Sequence, residues 1–223
     1  MPIEIDGPVQ IIKVPEMGPY NNNGYIIADP KTKEAYIIDA PAQVSVLLAE
    51  AADYHVKAVL ITHSHPDHIA GYTDLKLSTD LPVGIHIADA NKLPEAPEFY
   101  LEHDMELNVG SQKFKTLHTP GHTPGGVCFV SDQFLISGDT LFPGGPGMTR
   151  SPQSFREIVQ SISNQLLILP GNALVLPGHG LNTYISDARE EFELFEAKEW
   201  PTDLFGTVRW DQFYAEIDDP GDK

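Results

Sequence analysis

A chain of 223 residues, 41% hydrophobic and 21% charged, is long enough to bury its own core and too apolar to be disordered. Its single cysteine, Cys128, excludes a disulfide framework and a cysteine-rich zinc module. Fourteen Lys and Arg against 32 Asp and Glu leave a formal charge of −18, which disfavours nucleic-acid partners and docking on an anionic membrane face.

The opening residues Met1-Pro2-Ile3-Glu4-Ile5-Asp6 carry neither a basic segment nor an apolar stretch. No apolar run approaches the ~20 residues of a membrane span, so a cytoplasmic protein is expected. Residues 9–14, 25–28 and 35–39 read as strands, separated by Gly18-Pro19 with Asn21-Asn22-Asn23-Gly24 and by Asp29-Pro30. Pro41 opens a helical stretch to about Tyr54, with Val44, Leu47, Leu48 and Ala51 on one face. A buried strand over 58–62 runs into the loop His63-Ser64-His65-Pro66-Asp67-His68 and then a short helix.

Further strands are predicted at 83–88, 113–118, 127–130, 134–137 and 173–176, with a Pro-rich acidic loop over 92–103. Ser151-Pro152 reads as the cap and first residue of a helix reaching about Ile168, and 186–199 as a last helix. Strand-rich, helical, strand-rich, helical is the order of a layered sheet sandwich with helices outside. With no repeat and no low-complexity linker, one domain over 1–223 is expected, residues 186–223 forming an acidic, aromatic-rich helix and tail.

Four features carry chemistry. His63, His65 and His68 share a six-residue loop with Asp67, and three imidazoles that close, just past a strand, can converge on a cation. Thr119-Pro120-Gly121-His122-Thr123-Pro124-Gly125, Ser137-Gly138-Asp139-Thr140 and Pro177-Gly178-His179-Gly180 each place a potential ligand in a glycine turn after a strand. Alone, each is more readily a turn than a site. Together they supply five histidines, Asp67 and Asp139, too many donors for one zinc ion and about right for two with a shared carboxylate.

This ordered set resembles the metallo-β-lactamase superfamily, over roughly residues 9 to 185. The resemblance implies an α/β fold, a four-layer αββα sandwich, with the site at one edge between the sheets. It implies that His63, His65 and His122 hold a first metal, that Asp67, His68 and His179 hold a second, and that Asp139 bridges them. Two zinc ions are expected, with iron the alternative in one or both sites. Asp139 in Gly-Asp-Thr, followed by Leu141-Phe142, is similar to the hydroxyacylglutathione hydrolase (glyoxalase II) branch. The activity implied is hydrolysis of a small thioester or lactone, with Asp67 and Asp139 as catalytic residues. A mononuclear iron persulfide dioxygenase using His63, His122 and Asp139 is a second class of the same fold, and a non-enzymatic metal-binding module a third.

Two departures from that branch stand out. The Lys and Tyr that the family offers glutathione are missing from Leu141 to Arg150, which leaves Arg150 as the anion clamp there. The 44 residues after His179 carry twelve acids against Arg189, Lys198, Arg209 and Lys223, where the family has a basic helical region. Neutral or singly charged small molecules are therefore expected to be preferred over glutathione conjugates. Tyr20 and Asn23 resemble the family's first hairpin and are candidates to line the site mouth.

Plainer roles are expected elsewhere. His55, His86, His103 and His118 read as structural or surface histidines, Cys128 as a core residue, and Asp39 as the cap of the next helix. The aromatics Tyr184, Phe192, Phe195, Trp200, Phe205, Trp210, Phe213 and Tyr214 read mainly as packing of the tail. No signal of oligomeric state is present.

Overall fold

Period-two alternation decides which face of each strand meets which layer. A computed structural model describes residues 2–211. The first sheet runs β1 (Ile3–Ile5), β2 (Gln10–Met17), β3 (Asn22–Ala28), β4 (Glu34–Ile38), β5 (His55–Leu60), β6 (Val83–Ile85) and β7 (Phe99–Tyr100), in that spatial order. Pairing is antiparallel from β1 to β4 and parallel from β4 to β7. Next come β8 (Glu106–Val109), β9 (Gln112–His118), β10 (Val127–Val130) and β11 (Phe134–Gly138), then a ribbon of β12 (Leu141–Phe142) and β13 (Gly145–Pro146), then β14 (Leu174–Pro177) and β15 (Thr183–Tyr184). The second sheet has the order β15-β14-β11-β10-β9-β8.

Along β3 and β4, Tyr25, Ile27, Tyr36 and Ile38 point between the sheets and meet Phe114, Phe129, Phe134 and Ile136 of the second sheet. Their neighbours Ile26, Ala35 and Ile37 point outward onto Val44 and Leu47 of α1 (Val44–Glu50). Also in this layer are Ile69 of α2 (Pro66–Ile69) and Tyr72 and Leu75 of α3 (Tyr72–Ser78). On the far side Leu135 and Val175 face α4 (Pro152–Ser161) and α5 (Ile185–Glu196). The result is the expected four layers, helix, sheet, sheet, helix. Each fully buried Ile, Leu or Phe in these layers contributes roughly 1.5–3 kcal/mol by leaving water.

Ser151 caps α4 as its sequence foretold, its hydroxyl accepting from the Ser154 amide at 3.1 Å with Pro152 in the first helical position. Phe155, Ile158 and Ile162 then face the sheet, and a π turn over Ile162–Leu166 extends the helix. The tail is mostly packed, as expected. Trp200 and Trp210 both stack on Phe195, Trp200 meets Phe155 edge-on, and Trp210 packs at a tilt against Phe192. Phe205 and Tyr184 are exposed, and Phe213 and Tyr214 lie outside the described residues.

Several expectations shift. Asn22 to Gly24, turn-like in composition, open β3 instead: Asn22 pairs with Met17 and bridges to His179, so only the preceding residues make the turn. The first helix starts at Val44 rather than Pro41, because Gln43 adopts a left-handed φ of 66° and breaks the helical run. Asp39 does not cap that helix. Its φ is 64°, and its carboxylate turns into the site described below. Residues 106–109 form an additional strand, and the 92–103 loop contains β7. No helix among the described residues is long and apolar enough to cross a membrane.

Candidate metal centre

Five chain segments end at one edge of the sandwich. β4 delivers Asp39, β5 the loop from Thr62 to His68, β9 the turn with His122, β11 Asp139, and β14 His179. All seven residues expected as ligands come together there. One ligand atom from each of His63, His65 and His122 lies within 4.8 Å of the others, and the same holds for Asp67, His68 and His179. A third such group joins Asp139 to His63 and His68, one histidine from each trio. Asp139 Oδ1 is 3.3 Å from His68 Nε2, while Oδ2 is 3.5 Å from His122 Nε2 and 3.6 Å from His179 Nε2.

The outer nitrogen of most of these rings is already engaged, which aims the other inward. His68 Nδ1 donates to Asp39 at 2.7 Å, His122 Nδ1 to the Met148 carbonyl at 2.8 Å, and His179 Nδ1 to the Tyr20 carbonyl at 3.0 Å. Thr62 donates its hydroxyl to Asp39, which leaves its oxygen to accept from His63 Nδ1 at 3.1 Å. Inside, His68 Nε2, His122 Nε2 and Asp139 Oδ1 are buried without a hydrogen-bond partner of acceptable geometry. Orphaned lone pairs facing one another carry a desolvation cost that a divalent cation removes. The close packing around them is strict, since a Cβ at Gly178 would collide with Asp139 Oδ1 and lie 2.7 Å from His68 Cε1. Donor type, convergence and unmet valence all fit divalent metal ions.

The two trios differ electrostatically. Burial, reinforced by neighbouring imidazoles, holds His63 well below the ordinary histidine value, and burial lowers His122. Burial and then His122 bring His65 down to about 4. On the other side burial also opposes charge, but the Asp39 and Asp139 carboxylates outweigh it and raise His68 well above its usual value. Asp67 and Asp139 likewise overcome burial and raise His179. Protons compete with metal for every ring, and they compete at higher pH for His68 and His179, which are raised, than for His63, His65 and His122, which are lowered. As the pH is lowered, the Asp67 trio is therefore expected to release its equivalent before the His65 trio does. Metal analysis after dialysis across a pH series checks this, and simultaneous loss of both equivalents contradicts it.

Asn23 is buried, and its amide donates to the Pro177 and Gly180 carbonyls at 3.0 Å, supporting the turn that carries His179. Tyr20 contributes its backbone carbonyl to His179, and its ring is exposed. Arg150 is exposed beside a groove that reaches His65 and His122. A second groove, walled by Phe142, Met148, Val208 and Arg209, reaches His179, so part of the tail does border the site. His86 and His118 stack at 3.9 Å, half-buried and outside the cluster, while His55 and His103 are exposed.

Three residues of the site escaped the sequence reading. Asn22 donates to Asp67 Oδ2 at 2.8 Å. Asp39 anchors His68 and Thr62. Asp89 accepts from the Ser64 and Gly125 amides at 2.9 and 2.8 Å, tying the His63 and His122 loops together. Each lies far in sequence from the motif it serves, so no local spacing marks it.

Residues 17–179 match the metallo-beta-lactamase superfamily. The probable metallo-hydrolase YqgX of Bacillus subtilis is 36% identical over 60% of this chain and 73% of its own length. A hydroxyacylglutathione hydrolase of Cereibacter sphaeroides is 30% identical over 77% of this chain and 67% of its own length. Among solved structures, TTHA1623 in a di-iron-bound form superposes with a TM-score of 0.67 at 30% identity, covering 80% of this chain and 96% of that one. With a converging His/Asp cluster at the edge of an αββα sandwich, the chain belongs to the metallo-beta-lactamase superfamily of metal-dependent hydrolases.

Proposed function

We propose that the chain is a binuclear metal hydrolase that cleaves a small thioester or lactone. The observation that carries this reading is the pair of trios with Asp139 facing both. Two divalent ions held there would make water nucleophilic at neutral pH and polarise the carbonyl it attacks. His63, His65 and His122 form the first set of ligands, Asp67, His68 and His179 the second, and Asp139 is shared. Zinc suits the nitrogen-rich donor set, and the di-iron form of a structural relative makes iron the alternative.

Asp67 is placed for the proton. Its carboxylate is held far below the usual range because the His179 hydrogen bond and the His68 charge outweigh burial. It therefore stays an anion that accepts a hydrogen bond from the attacking water and orients it, and it relays the proton that water loses to the departing thiolate or alkoxide instead of holding it. A C–O bond forms to the carbonyl carbon as the C–S or ring C–O bond breaks, giving a carboxylic acid and a thiol or alcohol. The relatives named hydroxyacylglutathione hydrolase support the ester-like bond, though the leaving group is not taken from them.

The test joins metal content to a hydrolysis panel on one sample, comprising glutathione thioesters, acyl thioesters of a neutral thiol, homoserine lactones, phosphodiesters and a β-lactam. Two equivalents of metal with thioester or lactone turnover are expected. Less than one equivalent after reloading, with no ester hydrolysed, overturns the reading. One iron with oxygen uptake on a persulfide replaces it with the dioxygenase.

A further inference from the structure

We propose that the groove leading from His65 and His122 to Lys92 and Arg150 binds a carboxylate on the acyl half of the substrate. The inference rests on the hydrolase reading and names the substrate class within it, ester-like compounds whose acyl chain ends in a carboxylate.

The groove holds about 830 Å³, room for an acyl chain of several carbons. Lys92 and Arg150 wall it, both exposed. Neither has an ion pair or a side-chain hydrogen bond among the described residues. In this they differ from most cations of this acidic chain. Lys57, Lys76, Lys113, Lys115 and Arg209 each stand beside a carboxylate, and Arg156 and Arg189 are spent on backbone carbonyls. Two cations without a counterion on one groove, in a protein of charge −18, await an anion. The carboxylate also in the groove, Asp89, is 2% exposed with both oxygens on backbone amides, so it does not pair with them.

Both cations stand on fixed backbone. Arg150 lies between Thr149, which exchanges two hydrogen bonds of 3.0 and 3.1 Å with Gly206, and Ser151, which caps α4. Lys92 ends the 3₁₀ turn Ala90–Lys92, held by its amide on Asp89 O at 3.1 Å and by the buried Leu93. Only the side chains have to be ordered when an anion arrives, which limits the entropy cost.

The assignment to the acyl half comes from the opposite side. Asp67, which relays the proton, neighbours His179 at 3.1 Å, and His179 opens onto the groove of Phe142, Met148 and Val208. Arg209 there is already paired with Asp211. The leaving group thus departs into a mainly apolar groove, and the acyl chain extends the other way, past His65 and His122 toward Lys92 and Arg150. The net charge of the chain repels multiply charged anions, so one carboxylate is what this local pair captures.

The zinc-loaded protein is assayed with butyryl and succinyl thioesters of N-acetylcysteamine, a neutral thiol. The kcat/KM ratio, succinyl over butyryl, is expected to be about tenfold at low salt and to shrink as salt is raised. In the Lys92→Met/Arg150→Met double variant the ratio should fall to near one. A ratio that the double variant leaves intact, or a parent that prefers butyryl, overturns the proposal. So does a double variant that instead abolishes a preference for butyryl-glutathione over the butyryl N-acetylcysteamine thioester, since the groove would then serve the leaving half. Calorimetry with succinamic acid against succinamide, neither with a scissile ester, separates the two claims. Charge-selective binding weakened by the double variant supports the groove even if no thioester is hydrolysed, and binding that ignores charge overturns it even if one is.

Discussion

Asp139→Ala is expected to lower turnover by about three orders of magnitude and metal content from two equivalents to about one. The size of the effect follows from where its oxygens point. One faces His68 at 3.3 Å and the other faces His122 and His179 at 3.5 and 3.6 Å, so a single side chain neutralises charge on both sides of the centre. Two dications about 3.5–4 Å apart repel strongly in a partly dehydrated pocket, and a shared carboxylate offsets part of that repulsion. Without it no carboxylate faces both trios, and the second equivalent is expected to be lost. Asp139→Asn keeps the shape and removes the charge, so it should resemble the alanine variant in stoichiometry. His118→Ala is the control, because His118 stacks on His86 away from the cluster and should keep both equivalents. Equal metal loss in the Asp139 and His118 variants would place the ligands elsewhere.

The contrast between Asp139 and Asp39 shows what a sequence exposes. The loop His63 to His68 is legible because four potential ligands crowd six positions, and Asp139 and His179 are legible because each follows a glycine turn at a strand end. Layer order is legible for a similar reason. The strands β3, β4 and β11 are short, continuous apolar runs bounded by turn residues, and the succession of strand-rich and helical stretches stacks them between helices, although which residue faces which layer is decided only by packing. Asp39 fails the same scrutiny because a local rule claims it first. An aspartate shortly before a proline and an apolar helical stripe reads as a cap, and only a left-handed φ turns its side chain the other way. Asn22 is hidden by composition, three asparagines and a glycine imitating a turn, whereas pairing with Met17 and His179 draws it into a strand. Asp89 acts between two loops 25 and 36 residues away, a relation no window contains.

Asp39→Ala should weaken metal binding in both trios, an outcome out of proportion to a residue that touches no ion. Its Oδ2 holds His68 Nδ1 at 2.7 Å, which fixes that ring within the second trio. The same carboxylate accepts the Thr62 amide at 2.7 Å and the Thr62 hydroxyl at 2.9 Å, and Thr62 in turn holds His63 of the first trio. Removing it frees two rings, leaves the buried Thr62 amide unpaired at about 1–3 kcal/mol, and should weaken metal binding 10–100-fold in each trio. Asp39→Asn separates the two arms. Its amide oxygen in place of Oδ1 can still accept from the Thr62 amide, but an NH2 in place of Oδ2 cannot accept from His68 Nδ1, so the second trio should weaken and the first should keep its metal. Thr62→Val should do the reverse. Competition with a chromophoric chelator, read as two affinities rather than one, measures all three variants. If Asp39→Ala binds two equivalents as tightly as the parent, the carboxylate is a fold contact only. If Asp39→Asn weakens both trios equally, the path through Thr62 does not carry the orientation of His63.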